Sequence, residues 1–243
     1  MLSTRRTQVL TALIDEYVLS SVPVSSSILA ARYLPNYSAA TIRNELLGLE
    51  TAGLAFAPHT SAGRIPTNQG YRLFVNHLLL RPLSLLAANP IITPPPALEN
   101  SEHLPVSRTA VLREALDALS ASTDLLALYW DPDANLGLVV RGLTRLAKQP
   151  EFSESSRLLP LISLIEEQEQ LVSWLQSLLQ RAELSIQIGL EPSGLLAGCT
   201  LLARRGSSQN AIFGLLGPTR LDYRRALIAL DNIAQLNFNS PGY

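Results

Sequence analysis

The stretch Ser25–Arg64, SSSILAARYLPNYSAATIRNELLGLETAGLAFAPHTSAGR, decides the fold. It opens with serines that can accept hydrogen bonds from free helix amides, and Ile28, Leu29 and Tyr33 face inward, as in a short helix over about Ser25–Tyr33. Pro35 and Asn36 break the chain into a turn. Ser38 then caps a second helix whose buried stripe is Ile42, Leu46 and Leu49 with Leu47 beside them, and Gly53 closes it in the left-handed conformation. Leu54–Ala57 reads as a short strand, Pro58–Arg64 as a loop of small residues, and Ile65 with Pro66 as the return of a β-wing.

A short helix that braces a second through a tight turn lets the second lie in the DNA major groove, with its N-terminal turns toward base edges. Ser38, Ala39, Thr41, Arg43 and Asn44 lie off the apolar stripe of that second helix. Arg43 and Asn44 can make bidentate contacts to guanine or adenine, and Thr41 suits a thymine methyl or a phosphate. In the wing, His59, Thr60, Ser61 and Arg64 surround Ala62 and Gly63, so the backbone can come close to a phosphate and the guanidinium can reach phosphate or the minor groove. Ser61 and Gly63 serve equally well as turn chemistry. Any one of these faces alone would be ordinary solvated surface; a capped short helix, a tight turn, a glycine-stopped helix and a wing in series form a specific arrangement.

Upstream, Val9, Leu10, Leu13, Ile14, Tyr17 and Val18 recur at helical spacing over Thr4–Ser20, and Pro23 ends that helix; Arg5 and Arg6 at its start can add phosphate contacts. Downstream, Thr67 caps a fourth helix with Tyr71, Phe74, Val75, Leu78 and Leu79 on its apolar face. Six of the sixteen prolines fall between Pro82 and Pro105, which reads as a stiff linker. Beyond it come a helix Arg108–Ala121, a strand Leu125–Trp130, a long helix Pro160–Arg181, strands Ser185–Leu190, Gly198–Arg204 and Ala211–Leu216, and a last helix Leu221–Leu236 with Thr219 and Asp222 as its capping box. The expected division is a winged helix-turn-helix over residues 1–81, a linker over 82–106 and an α+β domain over 107–243.

The net charge of −1 hides an asymmetry: the chain to Arg81 holds seven arginines against four acids, and the remainder is net acidic. The basic half is the nucleic-acid candidate. At 47% hydrophobic residues and a mean hydropathy of +0.18, the chain is apolar enough to suggest a buried partner surface. No apolar run reaches the roughly 18 residues of a membrane span, and the N-terminus lacks a secretory core, so a cytoplasmic protein is expected. The single cysteine, Cys199, sits in the apolar run LLAGCTLLA as a small hydrophobe. There is no phosphate-cradling glycine loop with lysine, no nucleophile elbow and no histidine pair at helical spacing; His59, His77 and His103 fall in wing, helix and linker. Neither enzyme chemistry nor a cofactor or metal is expected.

With these elements in place, Tyr33–Leu79 (YLPNYSAATIRNELLGLE through GRIPTNQGYRLFVNHLL) resembles the DNA-binding region of heat-inducible transcription repressors of the HrcA family. RGLTRLAKQPEF, Arg141–Phe152, resembles a middle segment, and FGLLGPTRLDYRRALIALDNIAQ, Phe213–Gln235, the closing strand and helix. The resemblance implies a dimeric repressor that binds the CIRCE inverted repeat ahead of chaperone operons, is released on heat stress and is kept active by a GroE-type chaperonin. It also implies a GAF-like second domain that contributes to the dimer. Here only ten residues separate Trp130 from Arg141, where family members carry much of that domain, so a reduced GAF-like dimerisation domain without the family's small inserted domain is expected. Pro160–Arg181 or the final helix would supply the dimer seam. The alternative is a winged-helix module used for protein contacts, with DNA binding weak or lost.

Overall fold

The computed structural model describes residues 2–59, 62–80, 82, 108–134, 136–180, 182–189, 198–207 and 210–236. The linker expected over 82–106, apart from Pro82, lies outside the described residues, as do His103, Thr60 and Ser61. The chain forms two units, Met1–Arg81 with Thr219–Asp222, and Pro82–Pro218 with Tyr223–Tyr243.

Local capping chemistry sets the order of the first unit. Helix α1, Thr4–Ser20, starts where the Ser3 hydroxyl accepts from the Arg6 amide at 3.2 Å and stops at Ser21, whose φ of 58° turns the chain before Pro23 is reached. Helix α2, Ser26–Arg32, is capped by Ser25, and helix α3, Ala39–Thr51, by Ser38. Gly53, at φ +70°, carries the chain out of α3 while the Leu54 amide donates back to the Leu49 carbonyl at 2.9 Å. Strand β1, Ala55–Phe56, pairs antiparallel with β2, Ile65–Pro66. Helix α4, Asn68–Leu79, follows Thr67, whose hydroxyl accepts from the Gly70 amide and donates to the Gly53 carbonyl at 2.7 Å. Leu10, Leu13, Leu29, Ile42, Leu49 and Val75 form the core where these helices meet.

Two apolar assignments fail here. Leu47 and Leu79 are exposed, because each follows an inward residue, Leu46 and Leu78, by one position and is turned by about 100° off the buried stripe. Ile28 and Tyr33 are only half-buried, leaving Leu29 as the buried anchor of α2.

The second unit is built on a five-stranded antiparallel sheet whose strands lie in the order Val139–Arg141, Leu126–Trp130, Ile212–Pro218, Cys199–Arg205, Leu184–Ile188. Helix α5, Arg108–Thr123, precedes strands β3, Leu126–Trp130, and β4, Val139–Arg141. Then come helices α6, Leu143–Ala147, α7, Ser155–Glu166, and α8, Gln168–Leu178. Strands β5, Leu184–Ile188, β6, Cys199–Arg205, and β7, Ile212–Pro218, lead to helix α9, Tyr223–Ala234. Strand β7 is buried along its whole length, which requires cover on both faces of the sheet. On one face Leu126, Leu128, Leu201 and Leu216 cluster with Leu161, Leu171 and Leu175 of α7 and α8. On the other lies α9, its Tyr223 hydroxyl 3.1 Å from that of Thr200 and its Asp231 paired with Arg204.

The single long helix expected over Pro160–Arg181 is therefore two helices. Glu167, at φ −82° and ψ 61°, interrupts them, and Pro160 lies inside the first rather than at its start. The last helix begins at Tyr223, not at the Thr219 cap, because β7 keeps its pairing with β6 through Pro218. Its apolar face, one of the two expected dimer seams, is consumed inside the unit: Leu227, Leu230 and Ile233 are buried. Cys199 is 4% exposed on the inner face of β6, and burial pushes its thiol up to about 11. No helix among the described residues is long and apolar enough to cross a membrane.

Candidate nucleic-acid interface

Helix α3 is held from behind by charge. Its stripe of Ile42, Glu45, Leu46 and Leu49 includes a carboxylate, and Glu45, with its side chain 8% exposed, receives Arg5 Nε at 2.7 Å and Arg6 Nε at 3.0 Å from the first turn of α1. The hydrogen bond from Arg5 is the largest influence on the Glu45 carboxyl; with Arg6 it overrides the opposing effect of desolvation and holds the group below its ordinary range. Two further pairs complete the frame. Arg32 of α2 reaches Glu16 of α1 at 2.9 Å, and Arg64 of the wing reaches Glu50 of α3 at 2.8 Å. Each adds a charge-assisted hydrogen bond between two elements of the first unit.

The wing is fixed twice more. Arg64 and Val24 exchange backbone hydrogen bonds of 2.8 and 3.0 Å, a bridge that ties the wing to the segment before α2. Gly63 makes this possible, since a Cβ there would overlap the Val24 carbonyl and the Pro23 backbone. Between α2, α3 and the wing opens a cleft of about 240 Å³, bordered by Ser25, Ser26, Arg43, Leu47 and Gly63.

The residues expected to touch DNA are placed unequally. Arg43 and Asn44 project from α3 into solvent, and Arg43 meets no carboxylate among the described residues. Ser38 and Thr41 are partly committed to each other, their hydroxyls 2.9 Å apart, while Ala39 is half-buried. His59 is exposed at the start of the wing loop and Gly63 is half-buried. Arg64, expected to reach outward, has a side chain only 16% exposed and spends its guanidinium on Glu50 and the Ala62 carbonyl. Arg5 and Arg6, expected at phosphates, are engaged by Glu45. Apolar patterning alone does not reveal the clamp at Glu45, although a carboxylate at a stripe position between Ile42 and Leu49 is itself the signal that cations must meet it.

The sequence model of the HrcA protein C-terminal domain matches residues 92–227, more than half of the 243 residues. The chain belongs to the HrcA family. A heat-inducible transcription repressor HrcA of Arthrobacter sp. is 42% identical over 136 residues, a stretch covering 56% of this chain and 38% of that relative. The HrcA repressor of Acidothermus cellulolyticus is 28% identical over 332 aligned positions, 97% of each chain, so many of its residues have no counterpart among the 243 here. The crystal structure of a hypothetical protein shares the fold, with a TM-score of 0.77 at 19% identity over 96% of this chain and 97% of that one. The relatives that carry the HrcA name are heat-inducible transcription repressors, and this chain has a mixed α/β architecture with antiparallel sheets.

Proposed function

We propose that this chain represses class I heat-shock operons by binding the CIRCE inverted repeat as a dimer, and that it lets go on heat stress. Residues 1–81 act as a winged helix-turn-helix, 82–106 as the linker, and 107–243 as a reduced GAF-like dimerisation domain. The observation that carries the reading is the exposure of Arg43 and Asn44 on a helix held from behind by the Glu45 clamp. Base readout needs side chains that are free at the surface on a backbone that does not move. Ser38, Ala39 and Thr41 position the first turn of α3; His59, Thr60, Ser61, Gly63 and Arg64 shape the wing over the adjacent backbone. An inverted repeat demands two copies of α3 related by a two-fold axis, so dimerisation belongs to the mechanism. With the face of α9 used internally, α7 and α8, which leave Leu159 exposed, are the better seam. A GroE-type chaperonin would act by maintaining the foldable, DNA-competent state.

The test is a gel-shift titration of CIRCE duplex against a scrambled duplex, repeated across salt concentrations. Preference for the repeat, with affinity falling as salt rises, is the expected result. Equal binding to both duplexes, or a flat salt response, would overturn the reading in favour of a protein-contact module.

A further inference from the structure

Helix α3 exposes Ala40, Arg43, Asn44 and Leu47, which recur at i, i+3, i+4 and i+7 and so share one face. This is the spacing with which a helix lying along the major groove brings four side chains to base edges over two turns. Arg43 and Asn44 occupy the middle of it. Leu47 follows Arg43 by four residues, about 6 Å along the axis, and is 44% exposed while its neighbours Leu46 and Leu49 are buried. It also borders the cleft that opens toward Gly63 of the wing, on the same side as Arg43. A leucine here adds nothing to the core. It has no donor for a phosphate and no acceptor for a base amine. Among the groups that line the major groove, the apolar one is the 5-methyl of thymine.

Resting on the repressor reading above, we infer that Leu47 is a specificity-determining residue, packing on a thymine 5-methyl one helical turn beyond the base read by Arg43. Ala40, at the other end of the face, has a side chain short enough to let the helix seat.

Deoxyuridine lacks only that methyl, so the experiment measures binding of the full chain by fluorescence anisotropy to CIRCE duplexes carrying thymine or deoxyuridine throughout the half-sites. The wild type should bind the deoxyuridine duplex more weakly, by about fourfold for each methyl that Leu47 covers. Leu47→Ala should lose the share of that difference that Leu47 supplies, any remainder being the methyl contact open to Thr41, and Leu47→Met, which keeps an apolar contact, should retain more of it. Circular dichroism of the variants checks that the surface substitution leaves the helices intact. Equal binding of the two duplexes by the wild type, or an undiminished difference in Leu47→Ala, overturns the assignment. A wild type that prefers the repeat over scrambled DNA yet ignores the methyl sinks Leu47 alone; one with no preference for the repeat sinks the repressor reading and Leu47 with it.

Discussion

Arg43 and Arg64 show how one residue type divides between two tasks. Both lie near the cleft beside α3, yet Arg64 is drawn onto Glu50 and Arg43 is left to solvent. Arg43→Ala should therefore weaken binding to the inverted repeat by about 1–3 kcal/mol and relax the choice of base at one position, with thermal stability unchanged. Competition binding against base-substituted duplexes would check this, and a drop in melting temperature would count against it. Glu45 belongs to the opposite class. Its folded carboxyl lies below the ordinary carboxylate range, so its contribution to stability is complete above that range and is lost as pH falls through the folded value. Glu45→Gln should cost on the order of 1 kcal/mol at neutral pH, modest because both guanidinium groups keep contact with water, and the gap to the parent should close on acidification. Urea unfolding at neutral and acid pH measures it. Caps were legible one residue at a time, since Ser25, Ser38, Thr67 and Gly53 act on amides or carbonyls within a few positions. The fate of Arg64 was not, because its partner lies fourteen residues away and only the closed wing brings the two together.

Elements show a similar division. The order of helices and wing in the first unit follows the sequence closely because apolar spacing, caps and turn residues agree there. In the second unit the segment from Pro132 to Phe152 hides a strand, a short helix and a single 3-10 turn, each too short to establish a period. The break at Glu167 is hidden for another reason: apolar residues continue across it at helical spacing, so the hydrophobic pattern carries no mark of the interruption. The wing depends on a contact that no periodicity encodes, the approach of Gly63 to the Val24 carbonyl. Gly63→Ala should force the wing away from α2, destabilise the first unit by about 1–3 kcal/mol and reduce DNA affinity beyond what the loss of stability explains. Urea denaturation paired with anisotropy binding separates the two effects; unchanged affinity would show that the wing lies outside the interface.

For the whole molecule, the charge asymmetry visible in the sequence overstates what is free to meet a polyanion. Of the seven arginines up to Arg81, four are paired with Glu16, Glu45 and Glu50. Ion pairs that neutralise themselves displace few counterions, so the proposed selectivity for one DNA sequence rests on a small number of base contacts rather than on bulk attraction. For the proposed release on heating, the question is which unit loosens first. The chain carries one thiol, and it is sealed against the inner face of the central sheet. In the native state Cys199 should resist a maleimide at neutral pH, and labelling should accelerate at the temperature where the sheet opens. Mass spectrometry after brief heat pulses, run beside DNA-binding measurements at the same temperatures, gives the order of events. Labelling that rises before DNA release places the thermal trigger in the sheet; release with the thiol still protected places it in the helices that hold α3. A residue that contributes only bulk to the core thus doubles as an internal clock for the unit around it.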